Sequence, residues 1–554
     1  MGDVFEHIID GNAGIVTNKT GSVIVVGVCS LGTPGKTYTL SKDSDVEAIL
    51  GFGPLTDRIN DIFLTGGQEA AVIAVPVAGL PGGYATQIKH VGTGPDATKS
   101  GVPSDNADIV VEIVAPGALG TSTYRLSIDE GKTFETAEST PVNGQISCGV
   151  TGMTLVLTGD QVAGDKYAFS VRIPIGPVAK VGTGPEIEIY GDVKARAEVI
   201  LRIVRAGGRN VGVYQLSVDG TNFGPERTIP IDGLVGVGDS GVTITIPETD
   251  MVLGDEYSFE LIEPVPSITA VMVALETPLE KNDVEFVYIV GPSNSTDWAA
   301  MGVKSDTLWN GHRPTFFICE ARMPYANETQ DEWSQELISE HSSFSHRFVA
   351  CCTAYGEVTD SKALQRKRNW GGLLVGRVLY DPVMRSIART KTGSITPAML
   401  PDEWSSPHQE ALEKAGFITA KEYAGEAGVY WGEGRTLADR SSDYQFLETV
   451  RVVFKAIRLQ RKAAFPSLYD EAGDLAQSEP EGIYLLKTQI ENSLNTMVDA
   501  IPKEMAGHVV NIPDGQNVTE NGLAVETDLV GIPNIPKITL YSKYSHAGSD
   551  QDPR

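Results

Sequence analysis

The sequence has few cysteines and histidines, and this scarcity excludes several kinds of site. The 554 residues include 5 cysteines and 8 histidines. No Cys-x-x-Cys pair, His-Glu-x-x-His motif or Gly-x-Ser-x-Gly motif occurs, so no local motif indicates a metal site or a catalytic nucleophile. We therefore expect no cofactor, no metal and no enzymatic activity. The odd number of cysteines and their apolar surroundings predict buried reduced thiols rather than disulfides; they are Cys29, Cys148, Cys319, Cys351 and Cys352.

Long apolar runs are also absent. The longest, such as residues 70–80 and 268–275, are too short to span a bilayer, so we expect no membrane insertion. The first seven residues contain no basic side chain and no long apolar stretch, and we expect no signal peptide.

Positive charge is scarce relative to negative charge. Lys and Arg number 44 against 72 Asp and Glu, which gives a net charge of −28. A surface this acidic repels phosphate, so we expect no direct contact with nucleic acid. The length predicts about three or four domains, and the 59 glycines and 31 prolines indicate many turns and short strands.

A tandem repeat with an offset of 90 residues fills much of the first half. Residues 90–96, 124–129 and 164–169 recur as residues 180–186, 214–219 and 254–259. Because all three matches share one offset, they indicate a duplicated unit. Runs of β-branched residues punctuated by Gly-Asp, Asp-Gly and Gly-Pro pairs predict strands. We therefore predict two β-sandwich-like repeats, over residues 88–176 and 178–265. We expect them to be exposed accessory (decoration) modules or binding modules.

Buried strands alternate with helices on both sides of the repeat. Strands are predicted near residues 22–28, 70–75, 284–290, 315–319 and 348–354. The predicted class is α+β multidomain: one α/β core that the two β repeats interrupt, a C-terminal α+β inner domain and extended terminal arms. The remaining predicted boundaries are 1–20 for the N-terminal arm, 21–87 and 266–394 for the α/β core, 395–530 for the inner domain and 531–554 for the C-terminal arm.

The strongest helix signal covers residues 444–464. Ser441, Ser442 and Asp443 are candidate capping residues, and Pro466 ends the helix. An apolar face adjoins a basic stripe that consists of Arg451, Lys455, Arg458 and Lys462. The stripe fits a docking surface or, equally, a solvated face or a set of ion pairs within the subunit. Residues 486–497 predict a second amphipathic helix.

Three short segments resemble functional sites, and each has a simpler interpretation. Residues 236–241 match G-x-G-x-x-G, but an alternating strand follows instead of a helix, so a turn is predicted. Residues 32–37 resemble a phosphate loop that lacks its first glycine and its helix. His341 and His346 lie five apart, whereas helical metal pairs need a spacing of three or four.

The two chain ends carry exposed apolar patterns. The N-terminal arm contains Val4, Phe5, Ile8 and Ile9 among small and polar residues. In the C-terminal arm two prolines precede a predicted strand with Ile538 and Leu540 on one face and Tyr541 on the other, and Ile535 lies just before it. The arms either pair within their own subunit or add strands to neighbouring subunits, which would build a lattice or helix.

The sequence resembles the contractile tail sheath proteins of myophages and of related contractile injection systems. The N-terminal resemblance lies in residues 22–27, 44–51 and 64–75. The C-terminal resemblance lies in residues 376–377, 392–395, 428–437, the helix over residues 444–464 with Arg451, and the closing strands at residues 522–525 and 538–540. Together they cover about half the chain, and the repeat lies outside them.

The resemblance implies a structural protein of the virion tail, assembled in the cytoplasm of a bacterial host. Copies would stack as hexameric rings around an inner tail tube and contract to drive the tube through the target envelope. The implied partners are other copies of the chain, the tube protein, and baseplate and tail terminator proteins. The basic stripe would face an acidic tube, and the arms would join neighbouring copies. The alternatives are a nucleotide-binding α/β enzyme and a non-contractile baseplate or surface recognition protein.

Overall fold

The computed structural model describes residues 22–326, 328–360, 362–473, 481–542 and 544. The described chain forms two compact units. The core unit comprises the residues up to Asp381 together with Ile387–Leu447, and the C-terminal unit comprises Pro382–Ser386 and the residues from Glu448 onward. Helices, parallel strands and antiparallel strands all occur, so the predicted mixed α+β multidomain class is confirmed.

The core unit is built on a six-stranded sheet, which we call the core sheet. Five strands are parallel, and the edge strand Tyr38–Ser41 is antiparallel to its neighbour. The order across the sheet is Tyr38–Ser41, Ala71–Val77, Val23–Val28, Phe286–Ser293, Phe316–Ala321 and Val349–Cys352. The chain order reverses between Val23–Val28 and Phe286–Ser293, which makes this pair the switch point of the sheet.

Helices cover both faces of the core sheet, which explains why its central strands are apolar throughout rather than alternating. One face packs alternate residues such as Ile24, Val26 and Val287 against Trp298 and Trp333 from two of the helices. The helices of the core unit are Val46–Leu50, Pro54–Thr65, Ile268–Lys281, Ser295–Asn310, Gln330–His341, Gly371–Tyr380 and Ser406–Ala415.

Two glycines allow close packing of helices Pro54–Thr65 and Gly371–Tyr380. A Cβ atom at Gly372 would lie 2.6 Å from the carbonyl oxygen of Arg58. A Cβ atom at Gly376 would lie 2.1 Å from Oγ1 of Thr65 and 2.6 Å from the carbonyl oxygen of Ile62. A larger side chain at either glycine would therefore force the helices apart.

Each repeat forms two antiparallel sheets around one apolar core. We call the repeats module 1 and module 2. In module 1 one sheet contains Glu138–Ser139, Thr123–Ser127, Ala107–Ala115, Lys166–Arg172, Tyr84–Ala85 and Lys89–Val91, and the other contains Gln145–Ser147, Met153–Val156 and Thr98–Gly101. In module 2 the sheets contain Ala179–Val181, Glu256–Leu261, Ala197–Arg205, Val213–Ser217 and Arg227–Thr228, and Glu188–Gly191, Val242–Thr245 and Leu234–Gly236.

The two modules leave and rejoin the core unit at one place. Residues Gly79–Leu80 pair antiparallel with Val265–Pro266, so the two ends of the insertion lie side by side. A long insertion whose ends are already adjacent adds little closure entropy to the core, because that cost grows only slowly with loop length.

The rest of the core unit completes the packing around the carboxyl edge of the core sheet. Its strands are Tyr355–Thr359, Gln365–Asn369 and Ala398–Met399 in one small sheet, and Ala420–Glu422 and Val429–Trp431 in a hairpin. Leu412, Phe417 and Leu437 belong to the main apolar core. For this reason residues 395–447 pack with the core unit, and the separate C-terminal unit begins at Glu448 instead of at residue 395.

The C-terminal unit contains the helices Leu447–Ala464 (from its second residue), Glu481–Val498 and Val518–Asn521 and the strands Gly507–Asn511 and Glu526–Val530. The long helix begins three residues later than predicted, because Tyr444 lies in a turn and Phe446 forms an antiparallel bridge with Arg435. The amide of Thr436 donates to the carbonyl of Gln445, and the amide of Leu447 donates to the carbonyl of Gly434. This local pairing outweighs the capping pattern of the sequence.

Candidate assembly surfaces

The C-terminal unit carries a two-stranded hairpin with two open edges. Strands Gly507–Asn511 and Glu526–Val530 pair with each other, and no third described strand pairs with either. One face packs on helix Glu481–Val498 through Val510, Leu494 and Met497. Open edges present unpaired N–H and C=O groups, which can accept a strand from another chain. The sequence analysis did not single out this hairpin, because neither Gly-His-Val-Val-Asn nor Glu-Thr-Asp-Leu-Val alternates apolar and polar residues.

The C-terminal segment, residues 531–542, follows directly on this hairpin. It contains no strand, so the strand predicted there does not form within the described part of the isolated chain. No backbone hydrogen bond joins residues 532–542 to another described residue, and the side-chain nitrogen of Asn534 donates to Glu448 at 3.0 Å. Its large apolar side chains are strongly exposed: Ile535 78%, Ile538 74%, Leu540 84% and Tyr541 90%.

The predicted N-terminal arm residues, Val4, Phe5, Ile8 and Ile9, lie outside the described residues. Their pairing with neighbouring copies stays a prediction.

The basic stripe of helix Leu447–Ala464 divides into an inner and an outer part. Arg451 is only 4% exposed. A guanidinium with so little accessible surface cannot form an outward contact, so Arg451 has to be removed from the predicted tube-facing set. Lys455 is half-buried and forms an ion pair with Glu504 at 2.5 Å, which is the intra-subunit alternative. Arg458 is half-buried and Lys462 is exposed, so these two remain candidates for an outward contact.

Exposed apolar side chains cluster near the loop between the two long helices. Phe465 (64% exposed), Leu468 and Tyr469 follow the first helix, and Tyr484 and Leu485 lie in the first turns of the second. The hydroxyl of Ser467 lies 3.3 Å from the side-chain oxygen of Gln489, which brings the two helices together at this end. The sequence analysis did not single out these residues, because isolated apolar residues near a helix end do not reveal their exposure.

Buried charges connect helix Pro54–Thr65 to the core sheet. Nε of Arg58 donates to Glu320 at 2.7 Å, and Nη2 of Arg58 lies 3.5 Å from Glu263, at the return from module 2. Burial by itself would lower the pKa of Arg58, but the two carboxylates raise it well above its ordinary value. Burial raises the pKa of Glu263, an effect that Arg58 partly offsets. Arg58 therefore holds the helix, the core sheet and the base of the modules together.

The segments that resembled functional sites have structural roles in the described chain. Gly236 ends one strand, and a turn leads into strand Val242–Thr245. Residues 32–37 form a turn before strand Tyr38–Ser41.

No group of three His, Cys, Asp or Glu side chains within the described ranges is arranged to hold a metal ion. None of the helices with described residues is both long enough and apolar enough to cross a membrane. Four cysteines are buried and Cys29 is half-buried, all as free thiols.

Comparison with known proteins identifies relatives of the chain. A putative tail sheath protein of Haemophilus phage HP1 (strain HP1c1) is 32% identical over 123 residues. This match covers 20% of the present chain and 33% of the relative, so the chain spans about a third of the length of that protein. Among solved structures, the sheath tail protein of Desulfitobacterium hafniense is 10% identical with a TM-score of 0.41, over 95% of this chain and 100% of that one. The sheath tail protein of Listeria innocua is 9% identical with a TM-score of 0.41, over 93% and 96%.

Two family models together match nearly the whole chain. The DUF2586 N-terminal domain matches residues 1–435, and the DUF2586 C-terminal domain matches residues 443–549. The resemblance to contractile tail sheath proteins that the sequence predicted is confirmed by the curated relative. The chain belongs to the DUF2586 family.

Proposed function

We propose that this chain is a structural subunit of a contractile tail sheath. Copies stack as hexameric rings around an inner tail tube, and contraction of the stack drives the tube through the envelope of the target cell. The family, and the named tail sheath relative, support this assignment. The proposal requires no catalysis, because the contracted form is the more stable one and the extended form is kinetically trapped.

The observation that supports the proposal is that one unit contains both an unpaired apolar segment and a hairpin without a third described strand, which could serve as the donor and the acceptor of a strand-exchange joint. The C-terminal segment has exposed apolar side chains, no regular secondary structure, and no backbone hydrogen bond from residues 532–542 to another described residue. The hairpin next to it has two open edges. A two-stranded sheet is marginal by itself and gains from a third strand. If the segment of one copy adds to the hairpin of the next, each copy is both donor and acceptor.

This joint is head-to-tail and can therefore continue from copy to copy. Main-chain hydrogen bonds hold the added strand regardless of side-chain identity, while alternate side chains fix its register. Ile538 and Leu540 share one face of the segment. Burying each of them would stabilise the joint by about 1.5–3 kcal/mol. Flexible joints of this kind would keep neighbours connected while their compact units move as rigid bodies.

The proposal assigns the tube contact to the outer part of the basic stripe, Arg458 and Lys462. Exposed ion pairs are worth about 0–1 kcal/mol each, which suits a contact that has to release during contraction. The baseplate and the tail terminator would contact the two ends of the stack. In this proposal the protein resides in the virion tail and assembles in the cytoplasm of the bacterial host.

The experiment that tests the proposal is negative-stain imaging of purified protein and of two truncations. The full-length chain is expected to form tubes of uniform diameter. Removal of residues 533–554 should give soluble subunits that do not polymerise, because the donor strand is lost. The matched control removes only residues 545–554 and keeps the apolar segment, so it should still form tubes. Normal tubes from the longer truncation would refute the joint.

Point variants test whether the joint requires the apolar face of the C-terminal segment or only the presence of the segment. The double variant Ile538→Asp and Leu540→Asp should abolish tubes, because neither carboxylate can be buried against the acceptor hairpin. Thr539→Asp, on the opposite face, should polymerise normally. Both variants should melt like the parent as subunits, since these side chains are exposed in the isolated chain. Equal polymerisation of both variants would contradict the predicted register.

A further inference from the structure

Two turns of module 2 are docked onto the rest of the core unit. In one turn, Asp239 accepts a hydrogen bond from Nζ of Lys362 at 2.7 Å. In the other, Asp219 accepts from the amide of Gln365 at 3.2 Å and is only 6% exposed. Because Gln365 begins a strand of the core, these two turns form a docking face of module 2.

The equivalent turns of module 1 can be identified from backbone hydrogen bonds. In each module one amide donates across the turns to a carbonyl, from Ser104 to Thr151 in module 1 and from Lys194 to Ser240 in module 2. The residues just before the two acceptors are Val150 and Asp239, which are therefore counterparts. The residues two positions before the two donors, Val102 and Asp192, are counterparts for the same reason.

The counterpart face in module 1 is exposed and apolar. Val102 is 78% exposed and Val150 is 68% exposed. Their turns are adjacent, since Oγ of Ser104 donates to the carbonyl of Val150 at 2.7 Å. Ile128, next to the counterpart of Asp219, is 41% exposed. We call these three residues, Val102, Ile128 and Val150, the aliphatic face of module 1.

The polar and apolar residues of the two modules are distributed in the reverse of the way that an isolated subunit favours. The docked turns of module 2 carry Asp192 and Asp239, whereas the exposed turns of module 1 carry valines at the same positions. Exposed apolar side chains are unfavourable in water, and adjacent ones indicate a contact surface. We therefore expect the aliphatic face to be covered when the protein is in its working state.

The size of the aliphatic face indicates which partner can cover it. At about 100 Å2 per side chain, the three residues expose at most about 300 Å2, whereas a stable interface between free proteins buries roughly 1,000 Å2 or more. The face alone therefore cannot hold a partner that arrives from solution. A copy of the chain that is already joined elsewhere meets the face at a high effective concentration, so that a small contact suffices.

We propose that the aliphatic face of module 1 contacts a second copy of this chain in the assembled polymer. The inference rests on the proposed function, because only an assembly that is joined at other surfaces brings copies together at this face. Module 2 anchors the inserted pair to its own core unit, and module 1 uses the equivalent position for a contact between copies. The duplication thus supplies one internal and one external contact.

The first test compares the maleimide labelling of Val150→Cys in tubes and in subunits kept below the concentration at which tubes form. The new thiol should react about tenfold more slowly in tubes, because only an exposed thiol is accessible to the reagent. Val142→Cys is the matched control and should react equally in both forms. Val142 is 84% exposed and lies at the other end of strand Met153–Val156, beside the turn at Gly144. The parent gives the background from the half-buried Cys29.

The second test is the double variant Val102→Asp and Val150→Asp. It gives module 1 the residues that module 2 carries at the counterpart positions, so the fold accommodates them and the melting temperature should not change. The protein concentration needed for tubes should rise about tenfold or more, because the carboxylates cannot be buried against a neighbour without partners. Val142→Asp should assemble like the parent.

The outcomes separate this inference from the proposed function. Equal labelling of Val150→Cys in tubes and subunits would overturn the inference alone, as would equal assembly of the double variant and Val142→Asp. If the double variant melts earlier than the parent, the labelling result decides. A parent chain that forms no tubes would refute the proposed function and this inference with it.

Discussion

The carboxylate of Asp219 should fasten module 2 to the core unit. It lies in a tight turn and accepts from the side chain of Asn222 at 2.9 Å and from the amide of Thr221 at 3.1 Å. It also accepts from the amide of Gln365, at the start of a core strand, at 3.2 Å. Asp129 is the equivalent residue of module 1, since 219 − 129 = 90. Its hydrogen bonds stay within its own turn, for example with Thr133 at 2.6 Å.

The size of the stabilisation that Asp219 provides follows from the shift of its pKa. Burial alone would raise the pKa of Asp219, but the hydrogen bonds lower it from 3.8 to about 2. At about 1.4 kcal/mol per pKa unit, the ionised form stabilises the folded state by about 2 kcal/mol. Because the folded pKa is below the unfolded value, this stabilisation is fully present above about pH 4 and disappears as the pH falls toward 2. Asp219→Asn should therefore cost stability at pH 7 and little at pH 2.

The assay is urea unfolding combined with hydrogen exchange at the amide of Gln365. All six tryptophans lie outside the modules, so tryptophan fluorescence would not follow their unfolding. Unfolding of the modules is therefore followed by circular dichroism. Asp219→Asn should accelerate exchange at Gln365, since the acceptor of that amide is weakened. Asp129→Asn is the matched control and should leave that amide protected, although its own module is destabilised. Equal exchange at Gln365 in both variants, or a loss of stability that does not shrink at low pH, would refute the reasoning.

Three further predictions concern packing, buried charge and the tube contact. Gly376→Ala should destabilise the core unit by about 1–3 kcal/mol in urea unfolding followed by tryptophan fluorescence, because the added methyl group overlaps the facing helix. Arg58→Met should cost about 3–5 kcal/mol by the same measurement, because it leaves Glu320 buried without its cation. Arg458→Glu with Lys462→Glu should weaken assembly of extended sheath on tubes in cosedimentation and spare tube-free polymers, if the outer stripe faces an acidic tube.

Control variants test the packing prediction and the basic-stripe prediction. Gly531→Ala should leave the unfolding midpoint unchanged, because no atom of the described residues, its two chain neighbours aside, lies within 4 Å of the added Cβ. A similar loss for this variant and for Gly376→Ala would contradict the packing argument. Lys455→Glu should destabilise the C-terminal unit itself, since it breaks the pair with Glu504. If instead it selectively reduced tube binding in a normally stable subunit, the division of the stripe into inner and outer parts would be wrong.

The strands of the two modules follow the 90-residue offset of the sequence only in part. The matching strands begin 90 residues apart at 89 and 179, at 107 and 197, and at 166 and 256, but 89 residues apart at 145 and 234 and at 153 and 242. The second copy has therefore lost one residue in the middle and regained it before its last strand. The alternation of buried and exposed residues survives this shift, because it depends only on local strand geometry.

For the basic stripe, the sequence predicted the positions of the side chains on the helix but not their burial or their partners. Spacing places Arg451, Lys455, Arg458 and Lys462 close together on one helix, and the structure has this helix. Exposure depends on what packs beside the helix. Arg451 is buried and Lys455 meets Glu504, a residue from a distant loop. Periodicity cannot reveal such a partner.

The sequence by itself determined the elements whose signals are local: the buried strands, the amphipathic helices, the duplicated β units and the absence of familiar catalytic motifs. It also determined the apolar composition of the C-terminal segment, although the strand predicted there does not form in the described chain. Only the tertiary structure decided which charges are buried, where the C-terminal unit begins, and that a hairpin with two open edges lies next to that segment. These features depend on contacts between residues far apart in the chain, and such contacts leave no periodic trace in the sequence.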